Sequence, residues 1–163
     1  MSSSPTTYSG TFAPLQPDGS IFSLKDPLAE ARDLLRQAAR LPFHAHEPQS
    51  WQTAFRQAVT GARAAIRHHI WSAELPDSPL NRAESLEPRL LPKVDQQREE
   101  HEQFAAKADA LVAAASEPGE VDIWKMIDLS EQAILLEMAL ARHHNRLTQI
   151  VYETTHRDLG EAG

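Results

Sequence analysis

The chain has no cysteine. That excludes disulfides, thiolate metal sites and cysteine nucleophiles. An excess of positive charge is also missing: 16 Lys and Arg against 23 Asp and Glu leave a formal charge of −7. A nucleic-acid binder needs a basic stripe, and docking on an anionic membrane surface needs basic clusters, so neither partner is expected. No apolar run approaches the roughly 18 residues of a membrane span. The N-terminal stretch "MSSSPTTYSGTFAPLQPDGS" lacks the charged start and apolar run of a signal peptide, which makes a soluble cytoplasmic protein the expectation. There is no nucleophile motif, no phosphate-cradling glycine loop and no HExxH pattern, so an enzyme is not expected and no catalytic residue is nominated. Nothing alternates with period two for long enough to form a strand, and no repeat is present.

What is present is helical periodicity. Residues 1–25 are rich in Ser, Thr, Pro and Gly and read as a flexible leader, whose Ile21, Phe22 and Leu24 tack its end onto the body. Asp26 and Pro27 start a first helix, a capping side chain followed by a proline whose missing N–H costs nothing there. It runs to about Leu41 with the stripe Leu28, Ala31, Leu35, Ala38 and Leu41. Ser50 caps a second helix to about Leu75, striped by Phe55, Ala58, Ala62, Ala65, His69 and Ala73. The segment "PDSPLNRAESLEP" reads as a polar connection with one short helical turn. A third helix runs from Pro88 or Pro92 to Ser116, striped by Val94, Gln97, His101, Phe104, Ala108 and Leu111. A fourth covers roughly 122–156, striped by Met126, Leu129, Ala133, Leu136, Leu140, His143, Leu147 and Ile150, with Gly160 at its end. Four amphipathic helices on mostly short links predict an all-α, antiparallel up-down four-helix bundle over residues 26–160.

The stripes sort the eight histidines. His69, His101 and His143 lie on the apolar seams of three helices, whereas His68 and His144 lie one residue off. His44 and His46 sit in a link and His156 near the C-terminus. Imidazoles sharing one core are costly without a partner or a metal. Counted from the helix ends at about 1.5 Å per residue, His69 and His101 differ in depth by about 4 to 5 Å and His101 and His143 by about 9 Å.

The segments "ARAAIRHHIWSAEL", "RLLPKVDQQREEHEQFAAKADAL" and "HHNRLTQIVYETTHRDLGEAG" resemble the hemerythrin-like, or HHE cation-binding, family across residues 28–160. The resemblance implies the same bundle fold and iron as the metal, with His69, His101 and His143 as ligands and Arg157 to Gly160 as the family's "DLG" tail. Family members carry a glutamate four residues after the histidine of the second helix, and another four after that of the fourth, and use them to bridge two irons. Here those positions hold Ala73 and Leu147, and the first-helix histidine corresponds to Ala38. Glu74 stands next to the lost carboxylate position, turned about 100° around the helix. His144 and Glu137 are likewise off the seam. Glu74 and His144 are therefore candidate helpers rather than replacements.

Three readings follow. The first is a hemerythrin-like protein whose metal site is degenerate, with di-iron oxygen binding lost. The second is a single ion held by His69, His101 and His143, where three imidazoles and water suit zinc, with iron or copper as alternatives. The third is a metal-free helical bundle that regulates or binds a protein partner through its outer faces. Trp51, Trp71 and Trp124 would be the anchors of such a surface if exposed, and end-packing residues if not. The charge run "DQQREEHEQ" reads as a solvated helix face.

Overall fold

The computed structural model describes residues 26–160; the leader expected over residues 1–25, with Ile21, Phe22 and Leu24, lies outside the described residues. The described chain is all-helical: α1 (Pro27–Ala39), α2 (Pro48–Ala73), α3 (Pro79–Leu86), a 3-10 turn (Pro88–Leu90), α4 (Leu91–Ala115) and α5 (Ile123–Gly160). No described helix is long and apolar enough to cross a membrane.

Helix starts follow the local chemistry. The Asp26 carboxylate accepts from the Leu28 N–H at 3.1 Å with Pro27 next in line, and Asp122 accepts from the Lys125 N–H at 2.8 Å. α2 begins at Pro48, two residues before the Ser50 cap the sequence suggests, and Glu47 at its cap makes no side-chain bond there. Proline at the first helical position sets φ without needing a capping partner. α2 stops at Ala73 because Pro76 disfavours helical geometry just before it. The polar connection holds more helix than one turn. Ser78 Oγ accepts from the Asn81 N–H at 3.2 Å, and Pro79 opens the eight-residue α3, which buries Leu80 and Ala83. Gly119, at φ 120°, makes the turn into α5.

The helices close a ring: α1 packs on α2 and α5, α2 on α4, and α4 on α5. The stripes predicted from periodicity are the buried rows except at Leu41, Met126 and Leu147, which are half-buried, with Leu28, Leu35, Phe55, Ala62, Phe104, Leu111, Leu136 and Leu140 in one cluster. Each large apolar side chain contributes about 1.5–3 kcal/mol by leaving water. A Cβ at Gly61 would come within 3.1 Å of Leu34, so glycine there lets α1 and α2 approach closely. A second cluster, Ala73, Leu80, Ala83, Leu90, Val94 and Ile150, forms where α3 meets α4 and α5. Trp51 is buried and stacks on Phe55 at 4.7 Å. Trp71 and Trp124 are exposed.

Candidate metal centre

Between the two clusters lies a layer of histidines. His69 of α2, His101 of α4 and His143 of α5 are all buried, and their ligand atoms lie within 4.8 Å of one another. His143 Nε2 is 3.1 Å from His69 Nε2 and 3.2 Å from His101 Nε2. The rings meet edge-on or tilted, at 85°, 87° and 56°, so their nitrogens point inward rather than their faces stacking. Phe104 closes the layer with its ring edge-on to His143, 5.1 Å away. The depth mismatch of about 9 Å expected for His143 does not separate the rings. α5 is longer than its neighbours, and its Gln132–Leu136 stretch lies beside Leu111 of α4. Its first turns therefore overhang α4, by about six residues or about 9 Å, and counting from helix ends misplaces His143.

The sequence reading missed Glu100. This residue belongs to the run read as a solvated face, and most of that run is solvated, but Glu100 is largely covered and Gln97 wholly so. Glu100 Oε2 sits 2.8 Å from His143 Nδ1, and its other oxygen pairs with Arg146, one turn further along α5. The carboxylate therefore holds the proton on Nδ1 and leaves Nε2 of His143 bare, the tautomer a metal-ligating histidine takes. The available signal was a glutamate flanking a seam histidine, long enough to reach the next helix.

The candidate helpers take other places. Glu74 Oε1 is 4.0 Å from His101 Nδ1, beyond hydrogen-bond reach, and its carboxylate also faces Arg98 at 3.8 Å. His144 lines a cleft of about 190 Å³ with His69, Ala73 and Leu147, outside the three-histidine cluster. Glu137 pairs with Arg32 and Arg36 of α1, each at 3.0 Å. His68 and His156 are exposed, against Trp71 and Tyr152 respectively.

The electrostatics favour neutral rings. Burial, then the neighbouring His143 and His69, push His101 down to about 3. Burial, then His69 and Arg146, do the same to His143, also to about 3. His69 is lowered too, mainly by burial, against a raising influence from Asp26. Neutral imidazole is the ligating form.

Without a cation the proton count does not close. An imidazole's bare nitrogen carries one lone pair in the ring plane. If His69 and His101 both bear protons on Nε2, two donors compete for the one lone pair of His143. If either is bare there, two lone pairs face each other at about 3 Å. In addition, His101 Nδ1 and Gln97 Oε1 are buried with no hydrogen-bond partner among the described residues. A cation among the three nitrogens removes the conflict: nitrogens at about 2.0–2.1 Å from a tetrahedral ion stand about 3.3–3.4 Å apart.

The same residues do not fit a pair of irons. The positions at which the resemblance calls for bridging carboxylates hold the apolar Ala73 and Leu147, which line one cleft with His69. Glu100, the nearest carboxylate, is committed to His143 and Arg146. No family model, curated protein or solved structure matches the chain.

Proposed function

We propose that this chain is a divergent hemerythrin-like protein that holds a single divalent transition-metal ion through Nε2 of His69, His101 and His143. In this reading α1, α2, α4 and α5 are an antiparallel up-down four-helix bundle, and α3 with its 3-10 turn is an insert at one end. The ring of helix contacts and the order of the three histidines support it. The observation that carries the metal reading is the convergence of the buried Nε2 atoms of His69 and His101 on Nε2 of His143, whose tautomer Glu100 fixes. Three neutral nitrogens, with the His143 ring held by the Glu100 carboxylate, suit zinc first, with iron or copper as competitors. Glu100 is the carboxylate in hydrogen-bond contact with one of the three rings, with Glu74 standing off at 4.0 Å from His101, and that supports one ion rather than two.

A metal-free bundle is the second reading. It is favoured by Ala73 and Leu147, which fill the family's carboxylate positions with apolar groups. One experiment separates the two readings. Protein purified without a histidine tag is stripped with chelator, then titrated with Zn²⁺, and with Co²⁺ to read geometry from visible absorption. The expected result is one equivalent bound, a tetrahedral cobalt spectrum, and loss of both in His101→Leu. No uptake at micromolar metal, or equal uptake by the variant, overturns the metal reading.

A further inference from the structure

The outer face of α5 carries a long apolar stripe that no other described helix covers. Ile123, Trp124, Ile127, Ile134, Leu135 and Met138 are between 46% and 75% exposed. At about 100° per residue they fall within an arc of about 120°. Their exposed surface sums to roughly 600 Å², the upper end of what a soluble monomer shows. With the polar residues alongside, it approaches the roughly 800 Å² that each partner contributes to a standard-size interface.

Two charges share that arc, Glu131 and Arg142, and both are exposed. Neither holds an ion pair among the described residues, although most cations of the neighbouring helices do. They are 11 residues apart, about 16 Å along the helix, with Ile134, Leu135 and Met138 between them. This order is self-complementary in one direction only. Two parallel α5 helices in register would set Glu131 against Glu131 and Arg142 against Arg142. Two antiparallel helices, crossing level with Leu136 and Glu137, set Glu131 of each copy opposite Arg142 of the other. Ile134 and Leu135 then meet Met138 across the two-fold axis, an ion pair flanks this central patch on either side, and Ile127, Trp124 and Ile123 extend the apolar contact beyond the pairs. That is the arrangement of an isologous interface, an apolar centre with a polar rim.

We propose that the chain forms a symmetric homodimer through the Ile123–Met138 face of α5, with reciprocal Glu131–Arg142 pairs setting its antiparallel direction. The interface is separate from the histidine layer, whose ligands point to the opposite, buried side of α5. Full-length protein is measured by sedimentation equilibrium from about 1 to 100 µM, with helicity checked by circular dichroism. The expected result is a concentration-dependent dimer whose Kd rises at least about 100-fold in Ile134→Glu, an exposed position where folding is retained. Glu131→Arg is expected to raise Kd by about tenfold, and adding Arg142→Glu to restore it, because the reversed pairs are again complementary. A monomer at every concentration overturns the proposal, whether the stripe is then left bare, kept for another protein or covered by the chain's own residues 1–25. So does a dimer indifferent to Ile134→Glu, or one that the second charge reversal fails to restore.

Discussion

Glu100 Oε2 lies 2.8 Å from Nδ1 of His143, so a carboxylate on α4 decides which nitrogen of an α5 imidazole faces the core. Replacing Glu100 with glutamine removes that control. The amide can still accept through its oxygen, but it no longer compensates the charge of a bound ion or pairs with Arg146. In metal-free protein the loss is expected to cost about 1–3 kcal/mol, the range for disrupting a buried charged hydrogen bond. Zinc affinity is expected to fall about 10- to 100-fold, as when the group that orients a metal-ligating histidine is lost. Isothermal titration on the stripped variant checks both the affinity and the one-to-one stoichiometry, and an affinity equal to wild type would remove Glu100 from the site.

The buried rows were legible because burial follows apolar spacing at 3.6 residues per turn, and His69, His101 and His143 replace apolar residues within those rows. Their convergence was not legible, because periodicity fixes the direction of a side chain and leaves its height unset. The height depends on how far α5 overhangs α4, which the link between them sets. Glu100 escaped notice for a related reason. One position from a seam is about 100° away, yet a glutamate has the reach to come back across to the next helix. The helix α3 was partly concealed by its polar composition; its Ser78–Pro79 start is a strong signal, and only two of its eight residues are buried.

Iron loading tests the distance from functional members of the resembling family. With no carboxylate at Ala73 or Leu147, anaerobic addition of ferrous iron is expected to give at most one bound ion per chain. Exposure to air should then yield no absorption from an oxo-bridged pair. Elemental analysis alongside visible spectra settles the point, and two irons per chain would contradict the assignment.

Acid should destabilise the metal-free protein. His101 and His143 titrate near 3 in the fold and His69 is lowered as well, whereas in the unfolded chain each returns to about 6.5. Between those values the unfolded state holds more protons, so stability is complete above about pH 6.5 and falls as pH drops toward 3. For His101 and His143 the slope approaches about 1.4 kcal/mol per pH unit each once the pH is well below 6.5, and His69 adds in the same direction. His101 and His143 together therefore remove about 3 kcal/mol between pH 6.5 and pH 5. Urea midpoints of chelator-treated protein at several pH values measure this. A flat profile from pH 7 to pH 5 would mean that the rings are solvated or already protonated.

His101→Leu separates the contribution of the histidines to stability from their contribution to binding. The substitution keeps a residue of similar volume on the apolar seam, against Val94, Gln97 and Phe104 of the same buried row. It also removes the buried Nδ1 that has no hydrogen-bond partner among the described residues, and one of the two Nε2 atoms crowding His143. Metal-free variant is therefore expected to be as stable as wild type, or more stable by about 1 kcal/mol, since replacing an unsatisfied polar group by an apolar one removes its desolvation cost. Its acid slope should fall by one histidine's share, about 1.4 kcal/mol per pH unit. Zinc should behave in the opposite sense. Wild type melts at a higher temperature as zinc is raised, because only the folded state offers three converging ligands. The variant, reduced to His69 and His143, should show little shift over the same range. Thermal melts of both proteins with and without zinc at pH 7 give all four values, and a variant that retains the full zinc shift would show that His101 is a packing residue.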